Sequence, residues 1–540
     1  NDTLVRRGYI ASLSSGSTYE IESTFTPEST GIYNLTVYIK PVVDEVDVEN
    51  NRIIGIVTVK NPDTLQVPEK YGTIQTAINN AYAGDTVKLA AGTYKENISI
   101  DKSISIVGEA GKTIVDGFGN GTVVQVFSCS NVTISGLTIR NGTYGLALYF
   151  SGQNSIINNT VIDNGYGVGL FFSGANVLKN NRIYDSSYNF GVMGESLSDF
   201  MQDIDTTNTI NDMPVYYLVD EHDKQISGEA GLVVSVNSTN ITVSNLTLKD
   251  NSQGVLFAYT NNSKIENLNL TGHEWGILIV KSFNNKISNN TISNSIYGMD
   301  LWISGNNALS QNKIIGSQDG IYAWRSKENM IVDNVVYGNT GTGLKLDQSR
   351  LNEVVENMIS RNLDGIVLVW CEKNVLKGNV LNENIRNLGV YGYSIENFLM
   401  EIDFSNILDG RPVYYLTSQK NVMLNVPENR ASYVGLVNCT GIEIKGPNLT
   451  RNGQGILVAY TTNSSLENLH VQDNDQGIVL ISSDGIAVKN SFLKGNNYGV
   501  IVQNCSNISV SDNSFDSNFI FGIETQNSTR NLISGNNVVG

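Results

Sequence analysis

The sequence predicts an all-β chain, a parallel β-helix whose coils hold about 22 residues and three short strands each. Two landmarks predict it. The first is a glycine that returns in one setting, as in Tyr144-Gly145-Leu146, Tyr166-Gly167-Val168, Trp275-Gly276-Ile277, Tyr297-Gly298-Met299, Asp319-Gly320-Ile321 and Asp364-Gly365-Ile366. From Gly276 to Gly298 to Gly320 the step is 22 residues, and elsewhere it is about 22 to 24. A fixed period of this size means a stack of like units, each resting on its neighbours. The second landmark is an asparagine about fourteen positions after the glycine, at Asn159, Asn181, Asn290, Asn312, Asn334, Asn357, Asn379, Asn513 and Asn536. In three coils it falls one place early, at Asn267, Asn468 and Asn490.

Between the landmarks apolar residues alternate, as in Gly320-Ile321-Tyr322-Ala323-Trp324, Met330-Ile331-Val332 and Val335-Val336-Tyr337. Alternation bounded by Gly and Asn reads as three strands per coil. Residues one and three places after the glycine then point inward, and those two and four places after it point out. Gly and Asn are expected at corners because both tolerate left-handed backbone. Asparagines stacked at one corner can also hydrogen-bond from coil to coil.

Composition agrees. The 540 residues carry only 16% charged side chains and 8 prolines, with 51 glycines, which suits a solenoid and not a disordered chain. A formal net charge of -17 argues against nucleic acid or an anionic membrane as partner. No apolar run reaches membrane-spanning length. The first residue is Asn1, so a processed or trimmed chain is expected. Cys129, Cys371, Cys439 and Cys505 share one corner. The nearest pair, Cys439 and Cys505, lies three coils apart, about 14 Å at ~4.8 Å per coil and too far for a disulfide. All four read as small buried packing groups. Asn-x-Ser/Thr sequons exceed chance modestly, with candidates at Asn34, Asn97, Asn131, Asn141, Asn237, Asn261, Asn289, Asn463 and Asn527. They lean the chain toward the outside of a cell.

Residues 1–60 differ from the rest. Tyr19–Phe25, Gly31–Ile39 and Arg52–Val59 alternate as antiparallel strands do. The string from Leu13 through Pro27, Gly31-Ile32-Tyr33 and the acidic run from Asp44 to Asn51 resembles the CARDB class of immunoglobulin-like, adhesion-associated domains. That resemblance covers only the later strands of such a domain. It implies a partial Ig-like β-sandwich, with chain expected before Asn1.

The helix occupies 61–540. Ile74, Ala77, Ile78 and Ala81 fall on one face of a short helix expected within 71–83. With Ala83-Gly84-Asp85-Thr86-Val87-Lys88-Leu89 and Ala91-Gly92-Thr93-Tyr94 it resembles the entry of pectin-lyase-like right-handed β-helices. In those a helix covers the exposed edge and interior of the first coil. Further on, Phe200–Leu218 parallels Phe398–Leu416 at an offset of 198 residues, nine coils of 22. The helix is therefore an internal duplication, about 145–342 and 343–540, with an irregular loop or hairpin in each copy. Together with the coils this resembles NosD-like surface-associated β-helix proteins. No cap follows Asn536, so further chain or another subunit is expected to cover that end.

That resemblance raises copper. Copper needs clustered His, Cys or Met ligands, but His222, His273 and His470 are far apart, and no metal or other cofactor is expected. Calcium at the acidic run Asp44, Glu45 and Asp47 is the alternative. Carbohydrate chemistry is the sharper reading, since pectin-lyase-like helices often carry lyases and hydrolases on an exposed sheet. All four tryptophans, Trp275, Trp302, Trp324 and Trp370, fall within five consecutive coils. Trp302, Trp324 and Asp347 share one outward row, while Asp300, Tyr322 and Lys345 form the next. Asp319 and Asp364 both precede a glycine two coils apart, roughly 10 Å by strand spacing, near the upper separation of an inverting hydrolase. Exposed indoles stack on sugars, and a lysine beside carboxylates suits proton abstraction from a uronate. A solvated face or a contact between subunits explains the same residues.

The sequence therefore reads first as a non-enzymatic extracellular structural glycoprotein of a cell envelope. A surface layer, sheath, filament or adhesin that assembles with other surface-protein subunits would fit. The other reading is a protein that binds or cleaves polysaccharide on the Trp/Asp/Lys face of residues 273–370.

Overall fold

The computed structural model describes every residue except 1–3, 10–16, 19, 21–22, 44 and 427–429. Near the N terminus, Gly31–Tyr38 and Arg52–Val59 pair antiparallel, with Gly31 opposite Val59. Among the described residues no second sheet faces this ribbon, and Ile32, Val37, Ile53 and Ile56 are exposed on it. Leu13 and Asp44, where the CARDB-like string begins and its acidic run starts, and part of the strand expected over Tyr19–Phe25 lie outside the described residues.

From Thr64 onward the chain is a right-handed parallel β-helix of three sheets per coil. Its entry carries the helix Ile74–Asn80, started by Thr73, whose hydroxyl accepts from the Thr76 N–H. Glu96 of the next coil accepts from the N–H groups of Ile74 and Gln75, satisfying the helix's first donors. Ile74, Ala77 and Ile78 are buried in one core with Leu65, Val87, Ile98 and Ile100. Removing that face would expose the interior of the first coil to water.

The coils form three successive stacks joined by two hairpins. Thr209–Ile210 turns back on Met213–Val219, Ile210 opposite Met213, across Asn211 and Asp212, which both have positive φ. The same reversal joins Ile407–Leu408 to Arg411–Thr417 across Asp409 and Gly410. Each returning strand then pairs parallel with the next coil, so one sheet passes from stack to stack. A 15-stranded sheet runs from Gly92–Lys95 to Arg386–Tyr391, and a 14-stranded one from Thr247–Lys249 to Phe521–Gln526.

Strand direction reverses at each hairpin, yet the coils stay right-handed. That is geometrically consistent only if the two faces of the shared sheet exchange roles. The buried residues record the exchange. Val255, Phe257, Ile277 and Ile279 face the core of the second stack. Leu256, Ala258, Leu278 and Val280, in the places expected to point out, are buried in the core of the first. At the second hairpin Leu457, Ala459 and Val479 join the second core while Ile456, Val458, Ile478 and Leu480 join the third. The alternation rule therefore holds in mid-stack and fails where a sheet serves two cores. At roughly 1.5–3 kcal/mol per large aliphatic side chain, each shared face contributes enough to make the junction a fixed bend and not a hinge.

Two further corrections concern the landmarks. Gly298 is not left-handed; a Cβ there would stand 2.4 Å from Ile314 Cγ2 and 2.5 Å from the carbonyl oxygen of Gly320. The glycine column exists because successive coils approach too closely for a side chain. The asparagine column has two members that the sequence blurs. Asn290, Asn312, Asn334, Asn357 and Asn379 are buried, each donating its Nδ2–H to the Oδ1 of the next asparagine at 2.8–3.0 Å. The left-handed corner is the position just before, occupied by Asn289, Gln311, Asp333 and Glu356. Asn267, Asn468 and Asn490 belong to that outer position. They are not displaced ladder members.

Candidate functional site

At the first hairpin the last strand of the first stack, Tyr188–Met193, closes down onto Gln253–Ala258. Ser252 N–H donates to Phe190 O at 3.0 Å, Asn189 N–H to Asp250 O at 2.7 Å, and Val192 N–H to Gln253 Oε1 at 3.1 Å. Beyond this closure the outer face of the first stack meets the outer face of the shared sheet in a re-entrant corner. Tyr166 hydrogen-bonds Glu274 across it, and Lys281 Nζ donates to Glu195 O. Burial raises the Glu274 carboxyl above its ordinary range despite hydrogen bonds from Ser252 and Tyr166.

In the corner lies a cavity of about 250 Å³ lined by Trp275, Tyr297, Asp300, Trp302, Tyr322 and Trp324. The parallel register builds it: Trp275 pairs with Tyr297, Asp300 with Tyr322, and Trp302 with Trp324. Trp275 stacks on Tyr297 at 5.7 Å between centroids and meets Trp302 edge-on at 6.0 Å. The Arg325 guanidinium sits 4.6 Å over the Trp324 ring.

Asp300 forms the floor and is 1% exposed. Trp275 Nε1–H donates to its Oδ2 at 3.1 Å, while Oδ1 has no hydrogen-bond partner. Burial pushes this carboxyl up to about 7, against the pull of the Trp302 and Trp275 indoles. It is a protonatable group at neutral pH with an unused acceptor, walled by aromatic rings.

The structure sorts the expected site residues. Trp275, Asp300, Trp302, Tyr322 and Trp324 line one cavity. Trp275 is 8% exposed and Asp300 almost fully buried, so neither stands free on a solvated face, and for Asp300 this departs from the outward position expected two places after the glycine. The two inward-leaning positions belong to coils at the junction. Asp347 stands behind the cavity, accepting from the Tyr322 hydroxyl at 3.3 Å and pairing with Lys345 at 3.5 Å. Lys345 also lies 5.0 Å over the Tyr322 ring. Trp370 is apart from the other three, beside Tyr393 at the second junction. Asp364 is clamped by Arg386 through both carboxylate oxygens, and Asp319 accepts from the Thr342 N–H at 2.7 Å. Both carboxylates hold coils together. Tyr297 precedes a glycine as Trp275 does, a pattern that marks it in the sequence, whereas nothing local marks Glu274.

Of the sequon asparagines, Asn131, Asn141, Asn237, Asn289, Asn463 and Asn527 sit at left-handed corners. The amides of Asn141 and Asn237 are engaged with Asp116 and Asp220. Asn34, Asn97 and Asn261 lie elsewhere on the surface, Asn261 accepting from the Phe283 N–H.

Comparison with known proteins decides the family. A model described as "Periplasmic copper-binding protein (NosD)" matches residues 78–228, 197–323, 284–409 and 401–540. The chain belongs to the NosD family. A search of curated proteins finds no match. Among solved structures, similar folds include an alginate lyase from Paenibacillus sp. str. FPU-7 (15% identity, 50% of this chain and 94% of that one, TM-score 0.25). Others are a DFA-IIIase from Arthrobacter chlorophenolicus A6 (9%, 80% and 94%, 0.28) and an Azotobacter vinelandii mannuronan C-5 epimerase module (13%, 88% and 99%, 0.21). Similarity this loose transfers neither residues nor reaction.

The copper in the NosD family's description does not fit the donors of this chain. Among the described residues no three His, Cys, Asp or Glu side chains cluster as a metal site. His273 is buried, with Nε2 at 3.1 Å from Leu248 O and Nδ1 beside Asn251, and burial lowers it to about 4. Cys371 points its thiol at Leu346 O, and burial pushes that thiol up to about 12. In the acidic run where calcium is the alternative, Glu45 accepts from the Val42 N–H, and Asp47 from the Glu49 N–H and the Asn50 amide. No helix among the described residues is long and apolar enough to cross a membrane.

Proposed function

We propose that this NosD-family protein is an exported β-helix that holds a carbohydrate chain in the aromatic corner of its first junction without cleaving it. The solenoid then serves as a stiff frame at the cell envelope. The observation that carries the reading is the concentration of Trp275, Trp302 and Trp324 with Tyr297 and Tyr322 around one buried carboxyl group in a concave site. Indole and phenol faces stack on the C–H faces of sugar rings, and Asp300 offers one oriented polar contact at the floor. Binding without cleavage is favoured because hydrolysis by the usual route needs two carboxyl groups flanking the bond. The lining offers one, and Asp319 and Asp364 are committed to Thr342 and Arg386. A structural role in the envelope remains compatible, since exposed sequon asparagines ring the corners of a rigid rod.

Titration of the full chain with cellohexaose and with hexagalacturonate, followed by tryptophan fluorescence, tests this. At least one sugar should give a saturable change, weakened about tenfold or more in Trp302→Ala. Equal binding by Trp302→Ala would refute the site, and release of reducing or unsaturated sugar by the wild type would refute the non-catalytic half.

A further inference from the structure

The second junction repeats the architecture of the first with different chemistry. Arg386–Tyr391 closes onto Gln454–Ala459 by the same set of bonds. Gly453 N–H donates to Leu388 O at 2.8 Å, Asn387 N–H to Arg451 O at 2.6 Å, and Val390 N–H to Gln454 Oε1 at 3.0 Å. The duplication carries each position of the first cleft to a counterpart here. Trp275 becomes Gln476, Trp302 becomes Gln503, and Trp324 becomes Gln526. Tyr297 stays aromatic as Tyr498, Tyr322 becomes Glu524, and the buried Asp300 becomes Ile501. All six counterparts line one cavity of about 330 Å³, with Gln454, Trp370 and Tyr393 at its edge.

We infer that this second corner is a separate binding site for a neutral oligosaccharide, distinct in selectivity from the first. Three of the counterpart positions are amides; Gln526 donates to Glu524 Oε1 at 2.6 Å, and the buried Gln454 beside them is spent on the Val390 N–H, the Tyr433 hydroxyl and Gln476. Gln454 Nε2–H donates to Gln476 Oε1 at 3.3 Å, which leaves the Gln476 amide hydrogens directed elsewhere. Gln503 makes no side-chain hydrogen bond among the described residues. An amide offers donors and an acceptor side by side, the pattern that adjacent sugar hydroxyls match. Trp370, 41% exposed and 5.8 Å from Tyr393 between centroids, supplies the stacking platform. No Lys or Arg is among the lining residues, and Arg386, at the start of the closing strand, is held by Asp364 and lies 4.0 Å from Asp475. With Glu524 in the wall and an overall charge of -17, an anionic sugar is disfavoured.

The inference rests on the carbohydrate reading of the first cleft only for its chemical class, and the tryptophans separate the two. The chain has 4 tryptophans, and Trp370 alone belongs to the second corner. In Trp275→Phe/Trp302→Phe/Trp324→Phe, emission therefore reports Trp370. Cellohexaose, maltohexaose and chitohexaose are the probes. At least one should shift that emission saturably, with affinity about tenfold weaker on adding Gln503→Ala, while hexagalacturonate gives no shift. Should the triple variant misfold, calorimetry of the full wild-type chain replaces it. A sugar site lost in Gln476→Ala/Gln503→Ala and Trp370→Ala, but kept in Trp302→Ala, supports the inference even if the first cleft binds nothing. No neutral sugar bound, or every sugar lost in Trp302→Ala and kept in the second-corner variants, overturns it.

Discussion

Asp300 is a carboxyl group held almost wholly out of water. Its carboxyl is pushed up to about 7, from 3.8, by burial. Between those values the folded chain holds a proton that the unfolded chain has released. Stability therefore falls as pH rises through that window and is flat above it. His273 runs the other way, lowered to about 4 from 6.5, so its contribution is present above 6.5 and lost as pH falls. Asp300→Asn removes the first term. It should raise thermal stability at pH 8 more than at pH 5, the difference being on the order of 2–3 kcal/mol at the upper limit. Melting curves at the two pH values check this, and an equal effect at both would contradict the burial account. Asn312 gives a second test at this scale. Its Oδ1 accepts from Asn290, and its Nδ2–H donates to Ile287 O and Asn334 Oδ1. Asn312→Ala strands those buried groups and should cost roughly 2–4 kcal/mol, read by denaturant unfolding.

At the scale of the strand and its coil, the glycine column sets how tightly coils stack. Gly298→Ala places a methyl group against the Gly320 carbonyl and Ile314, and neither can retreat far within a packed coil. A loss of roughly 1–3 kcal/mol is expected, whereas Gly338→Ala, with open space around it but φ of 66°, should show only the backbone penalty. Comparing the two melting temperatures checks the close-approach explanation. The sequence made the coil legible because its period, its glycine and its inward pair are local. Met299 and Leu301 read as core and are 1% exposed. The reason for the glycine was not legible, since close approach and left-handed backbone both select the same residue. The two asparagine positions were blurred for a like reason. Adjacent residues, one turning the chain and one laddering beneath it, favour the same side chain.

At the scale of the whole molecule, the duplication was visible in Phe200–Leu218 and Phe398–Leu416, but its consequence was not. Two-residue turns at Asn211-Asp212 and Asp409-Gly410 reverse the strand and exchange the faces of a shared sheet. Nothing in an alternating strand says whether its outer face meets water or another stack, so Leu278 read as exposed and is fully buried. Leu278→Asp should therefore destabilise the chain by several kcal/mol, as a buried unpaired charge does, where a mid-stack outward residue such as Lys345 tolerates exchange. The same blindness split the tryptophans. Their row placed Trp302 and Trp324 correctly together; Trp275 and Tyr297, each one place before a glycine, join them through the parallel register, and Trp370, one place past the row, lies at the other corner.

The bends thus turn a uniform solenoid into a rod with two corners, and the account stands or falls on the first corner being where a sugar sits. A crystal structure of the full chain soaked with whichever hexasaccharide binds tests this most directly. The account predicts a sugar ring within about 4 Å of the Trp302 or Trp324 face and a hydroxyl on Asp300. A sugar bound elsewhere on the solenoid, with this corner filled only by water, would contradict it.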